Sequence, residues 1–96
     1  MRILLAEDDG MLADAIMRAL SQSGHAVDIA RDGGQADRAL STNDYDLAIL
    51  DLGLPVFEGS EVLRRLRARR SSVPVLILSV RDSVEDRVSR SEEHTS

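Results

Sequence analysis

Leu47-Ala48-Ile49-Leu50-Asp51-Leu52-Gly53-Leu54-Pro55, residues 47–55, joins a short apolar run to a carboxylate and then to a turn-forming segment. The run is strand length and apolar at successive positions, the pattern of a strand buried on both faces in a parallel sheet. Working outward, three similar runs flank it: Ile3-Leu4-Leu5-Ala6, Ala26-Val27-Asp28-Ile29-Ala30 and Val75-Leu76-Ile77-Leu78. The first and last share the two-faced apolar character. The second, with Asp28 inside it and His25 before it, reads as nearer an edge, and His25 as structural. Between the runs the spacing becomes helical. Leu12, Ala15, Ile16, Ala19 and Leu20 follow an i, i+3, i+4, i+7, i+8 stripe, and Gly24 is placed to end that helix. Further helices are predicted from about Gly34 to Thr42, burying Ala36, Ala39 and Leu40, and from about Ser60 to Arg69, burying Val62, Leu63 and Leu66. Strands recurring every ~24 residues with helices between them define βαβ units and a doubly wound parallel α/β sheet.

Composition narrows the function. Ninety-six residues suit one domain, and 43% hydrophobic with 30% charged residues is the balance of a globular chain. Twelve basic against seventeen acidic residues give a net charge of -5, which disfavours a nucleic-acid or anionic-membrane surface as the domain's purpose. All twelve basic residues are arginine, so Schiff-base chemistry and a phosphate-gripping lysine are excluded within this chain. Cysteine is absent as well, which removes disulfides, thiolate nucleophiles and cysteine-bound zinc and fits a reducing cytoplasm. No apolar run is long enough for a membrane span, and acids at residues 7–9 leave no room for a signal peptide. A cytoplasmic protein without a membrane partner is expected.

In an open parallel sheet the binding crevice lies beyond the carboxyl ends of the strands. Glu7-Asp8-Asp9 follow the first run, Asp51 ends the third and Ser79 follows the fourth. Carboxylates gathered from adjacent strand ends repel one another, and a hard divalent cation with oxygen ligands, Mg2+, relieves that repulsion. Asp51 is then placed to act as a carboxylate nucleophile toward a phosphoryl group, with the Ser79 hydroxyl bonding one of its oxygens. Each feature alone also has a plainer reading. An acidic triplet suits a helix N-terminus, and a single Asp suits a turn or cap. The convergence of all three at successive strand ends is what favours a site. Arg64-Arg65-Leu66-Arg67-Ala68-Arg69-Arg70, five arginines in seven positions, reads chiefly as a solvated helix face paired with Glu61 rather than as a nucleic-acid patch.

These residues carry a resemblance. Ile3 to Asp9, the Asp51-Leu52-Gly53-Leu54-Pro55 segment with Gly59 four residues on, and Val73-Pro74-Val75-Leu76-Ile77-Leu78-Ser79 resemble the receiver domain of bacterial two-component response regulators. The likeness spans residues 1–88 and is greatest to the OmpR/PhoB-like branch, whose receivers precede a winged-helix DNA-binding domain. It implies a flavodoxin-like (CheY-like) fold with strand order 2-1-3-4-5. It implies Asp51 as phosphoacceptor, Asp8 as direct Mg2+ ligand, Glu7 acting through water and the Gly53 main-chain carbonyl completing the metal site. Ser79 matches the hydroxyl switch residue, and Asp9 an acid one layer behind the metal ligands. A sensor histidine kinase is the implied phosphodonor. DNA is reached only through a missing C-terminal domain, and receiver–receiver homodimerisation is the implied assembly of the parent. A phosphoacceptor of this kind is not an enzyme in its own right.

Two family features, a lysine after a fifth strand and an aromatic switch residue on it, have no counterpart here. The expectation is a receiver of residues 1–89, truncated after the fourth strand and the start of a fourth helix, with the fourth strand left as an apolar edge. Arg90 to Ser96 resembles a translated sequencing-library adapter and is read as a non-native tail. Two alternatives stand beside the signalling module. One is an inactive fragment; the other is a Mg2+-dependent phosphatase with an aspartyl nucleophile, for which Gly53 stands where such enzymes usually carry another acid.

Overall fold

The computed structural model describes residues 1–78. Ser79, the expected start of a fourth helix and the expected non-native tail lie outside the described residues. The elements run β1 (Arg2–Ala6), α1 (Gly10–Gln22), β2 (Ala26–Ala30), α2 (Gly33–Thr42), β3 (Leu47–Asp51), α3 (Gly59–Ala68) and β4 (Val75–Leu78). Among the described residues all strand pairs are parallel and the order is β2-β1-β3-β4. This is the doubly wound parallel α/β sheet expected from the sequence, and β2 lies at the edge where Asp28 put it. Asp51 belongs to β3 itself, paired with Leu78 of β4.

Two cores sandwich the sheet. Ile3, Leu5 and Ile49 meet Ala13 of α1 on one face; Leu4, Ala6, Ala48 and Leu50 meet Ala36 of α2 and Val62 of α3 on the other. Alternate residues of β1 and β3 therefore point into opposite cores, and both strands are buried almost throughout. Ala36, Val62 and Leu66 are buried as expected, while Ala39, Leu40 and Leu63 are only half-buried.

Three expectations are corrected. The core-facing stripe of α1 is buried Ala13 with the expected Ile16 and Leu20 half-buried beside it, while Ala15 and Ala19 are exposed. Asp9 caps the helix by accepting from the N–H groups of Met11 and Leu12, which fixes its entry so that small Ala13 faces the sheet. Next, β4 is half-buried rather than buried on both faces, and Leu76 is 56% exposed. Among the described residues, only β3 pairs with β4. Finally, α2 and α3 each begin one residue early, at Gly33 and Gly59, for a reason that lies in the site.

Gly24 ends α1 as expected, with φ +90 and the His25 and Gly24 N–H groups donating to Leu20 and Ser21 carbonyls. At the end of α3, Arg70 takes the same left-handed position at φ 62 without being glycine. The arginine run is paired as read, through Arg64 and Arg65 to Glu61, but it also bridges helices: Arg69 and Arg65 reach Asp37 of α2 at 2.7 and 3.8 Å.

Val56 is the other non-glycine residue at positive φ among the described residues, at 70°, and the Phe57 N–H donates to the Pro55 carbonyl at 2.9 Å across it. A β-branched residue is poorly suited to this tight turn, and Val56 is 73% exposed, so little burial offsets the strain. Val56→Asn should therefore raise stability by about 1 kcal/mol. Urea unfolding checks this, and an unchanged or lower midpoint would count against it.

Candidate functional site

The site lies at the carboxyl ends of β1 and β3. Strand pairing sets Ala6 beside Leu50, so the residues just beyond, Glu7 and Asp51, emerge together. Glu7 is 1% and Asp51 3% exposed, whereas Asp8 faces solvent. Carboxylate oxygens of Glu7, Asp8 and Asp51 all lie within 4.8 Å of one another. Burial, and next the hydrogen bond to Asp51, push the Glu7 carboxyl up to about 7. The Asp9 N–H, donating to Glu7 Oε2 at 3.3 Å, opposes that rise, while Asp8 and the charge of Asp51 add to it. Three acids in this space need a shared proton or a cation to be comfortable. The donor set is all oxygen, which suits a hard divalent ion.

The structure thus brings Glu7, Asp8 and Asp51 together. Asp9 stands behind them, its side chain spent on the α1 cap. Gly53 is adjacent, its N–H donating to Asp51 Oδ1 at 3.1 Å. That N–H was not among the contacts read from the sequence.

The segment between β3 and α3 is built by close backbone approaches. The Gly59 N–H donates to the Leu52 carbonyl and the Leu52 N–H to that of Leu78; the Gly33 N–H donates to that of Pro55. A Cβ on Gly59 would run into the Asp51 carbonyl oxygen and stand 3.1 Å from Leu52 Cα; one on Gly33 would strike the Phe57 carbonyl and stand 2.6 Å from its Cβ. Both helices therefore start at glycine, because their first turns rest on the backbone that holds the site. No local signal in the sequence separates a turn glycine from one required by contact.

Comparison with known proteins agrees with this geometry. The response regulator receiver domain family matches residues 3–94. The chain is 49% identical over 88 residues to the response regulator protein PmrA of Pseudomonas aeruginosa, covering 92% of this chain and 40% of that protein. It is equally similar to the transcriptional regulatory protein TctD of Salmonella typhimurium, with 92% and 39% covered. Among solved structures, the Francisella response regulator 1452 receiver domain superposes with a TM-score of 0.81 at 33% identity, over 92% of this chain and 73% of that one. The receiver domain of the Pseudomonas aeruginosa sensor histidine kinase PA1611, with a magnesium ion coordinated in its active-site cleft, gives 0.76 at 35%, over 81% and 66%. The response regulator TrrA in complex with the histidine kinase ThkA gives 0.76 at 28%, over 82% and 68%. This chain belongs to the response regulator receiver domain family, and its relatives include OmpR/PhoB-type transcriptional regulators. It spans about 40% of the length of the curated relatives it matches.

Proposed function

We propose that Asp51 accepts a phosphoryl group from a sensor histidine kinase, and that the chain is the phosphoacceptor module of a transcriptional response regulator. The observation that carries this reading is the crowding of Glu7, Asp8 and Asp51 at adjacent strand ends, with their oxygens within 4.8 Å. A metal-containing receiver and a kinase-bound regulator among its structural neighbours support it.

Asp8, Asp51 and the Gly53 carbonyl are the residues that would hold Mg2+ directly, with Glu7 acting through water and Asp9 behind them. When bound, the ion neutralises this crowded charge and that of the incoming phosphoryl oxygens. The chain's own residues do the rest. Gly53 holds one Asp51 oxygen through its N–H and so orients the carboxylate. An Asp51 oxygen then forms a bond to phosphorus as the phosphorus–nitrogen bond of a phosphohistidine breaks, and the departing imidazole takes up a proton. The Ser79 hydroxyl donates to a phosphoryl oxygen. Asp51 is consumed once per transfer, which is acceptance rather than enzymatic turnover.

Residues 1–89 form the receiver in this reading, with 90–96 as a non-native tail. Output is transcription control through a DNA-binding domain elsewhere in the parent, with the receivers of two parent copies pairing in the cytoplasm. Among the described residues no helix is long and apolar enough to cross a membrane.

The test is to incubate the intact parent protein with acetyl phosphate, with and without Mg2+, trap the acyl phosphate by borohydride reduction and map it. Modification at Asp51 that requires Mg2+ is expected. Modification at another residue, or none, overturns the proposal.

A further inference from the structure

Phe57 is held from two sides. The backbone of Gly33, at the start of α2, sits against its carbonyl and Cβ, where no side chain would fit. Over its ring lies the guanidinium of Arg65 from α3, with Cζ 3.8 Å from the ring centroid. Arg65 is itself anchored: its Nε donates to Glu61 Oε2 at 2.9 Å, and its Nη1 lies 3.8 Å from Asp37 Oδ2 on α2. Asp37 is also gripped by Arg69 at 2.7 Å, and Arg64 and Arg65 hold the Glu61 carboxyl down to about 2. The side chains of Arg65, Glu61 and Asp37 are 37%, 33% and 21% exposed, so this network is partly shielded from water. A guanidinium held over an aromatic ring and flanked by two carboxylates is a better-defined contact than a surface ion pair.

Phe57 lies in the segment that carries Gly53 to Asp51, and it follows Val56, whose backbone is strained. A strained turn persists only where its surroundings hold it. We propose that Arg65 is a positioning residue for the acidic site. It clamps Phe57 against α2, and through Phe57 it fixes the 52–58 segment and the Gly53 N–H on Asp51. Neither residue touches the reacting atoms. The inference rests on the reading of Asp51 as phosphoacceptor only for its effect on phosphorylation; its structural half stands without it.

The experiment uses the full chain and two readouts at a temperature well below unfolding. The first is amide hydrogen exchange by NMR, without metal or phosphodonor. In Arg65→Gln, exchange at Gly53 should quicken roughly tenfold while Leu5 in β1 stays as protected as in the parent. Asp37→Asn, which loosens Arg65 without touching the ring, should shift Gly53 in the same direction and by less. The second readout is the initial rate of Mg2+-dependent labelling by acetyl phosphate, expected to fall roughly tenfold in Arg65→Gln because small misplacements at a reacting group are costly. Phe57→Ala should match it, and the double variant should be no worse than either single one, since both remove one contact. Unchanged Gly53 exchange in both Arg65→Gln and Asp37→Asn would overturn the clamp. So would labelling of Arg65→Gln at the parent's rate. Absence of labelling in the parent would count against Asp51 as phosphoacceptor, and the exchange result would still decide the clamp.

Discussion

Asp51→Asn is expected to take up no phosphoryl group under conditions that label the parent, and to be more stable than the parent at pH 8 without metal. The first half follows from loss of the nucleophile, since an amide oxygen does not form the acyl phosphate. The second follows from the acid cluster. Unfolded, the Glu7 carboxyl titrates near its ordinary 4.5; folded, it keeps its proton up to about 7, chiefly through burial and then the hydrogen bond to Asp51. The native chain therefore binds more protons than the unfolded chain between those values, and stability falls as pH rises across that window. The contribution is complete below 4.5 and lost above 7, on the order of 3 kcal/mol in all. Replacing Asp51 removes its charge and gives Glu7 an amide partner, so the fall should be smaller than in the parent, while burial of Glu7 keeps part of it. Urea unfolding of both proteins at pH 5 and pH 8 in EDTA checks the sign. Mg2+ at pH 8 should raise the parent's midpoint and leave that of Asp51→Asn nearly unmoved, because only the parent keeps the full set of carboxylates. A parent whose stability is flat or rises from pH 5 to pH 8 would refute the account of Glu7.

Gly59→Ala is expected to destabilise the chain by about 3 kcal/mol or more, a result opposite to the usual gain from alanine in a helix. In an open helix the change is worth up to about 1 kcal/mol in favour of alanine. Here the added methyl meets the Asp51 carbonyl oxygen, and Asp51 C and Leu52 Cα stand 3.0 and 3.1 Å away. These are backbone atoms of a strand end, paired to β4 through Leu52, and they have no alternative rotamer to adopt. Relief requires α3 to withdraw from β3, which costs the packing of Val62 and displaces Asp51 itself. Urea unfolding gives the stability, and calorimetric Mg2+ titration of the folded protein should show weakened binding. A Gly59→Ala protein as stable as the parent would show that α3 does not rest on the Asp51–Leu52 backbone tightly enough to exclude a methyl group.

Much of this was legible beforehand, for identifiable reasons. Four apolar runs of strand length, separated by helical spacing, leave a parallel α/β sheet as nearly the only economical arrangement, and polar Asp28 marked the edge strand. Acids placed just after the first run and at the end of the third must meet once those strands pair in parallel, so the candidate site followed from topology. The α1 stripe was right at Ile16 and Leu20 and wrong at Ala15 and Ala19, because leucine and alanine at neighbouring positions satisfy two helical faces almost equally, and the choice of Ala13 depended on the Asp9 cap.

Periodicity and residue chemistry along the chain thus determined the element order, the sheet class and the carboxylates that converge. Tertiary structure alone decided the raised Glu7 carboxyl, the glycines on which α2 and α3 rest, and the seat of Arg65 on Phe57. The division has a physical cause. Hydrophobic pattern is a property of each segment's own residues, whereas desolvation, steric approach of two backbones and the stacking of distant side chains exist only once separate segments occupy neighbouring space.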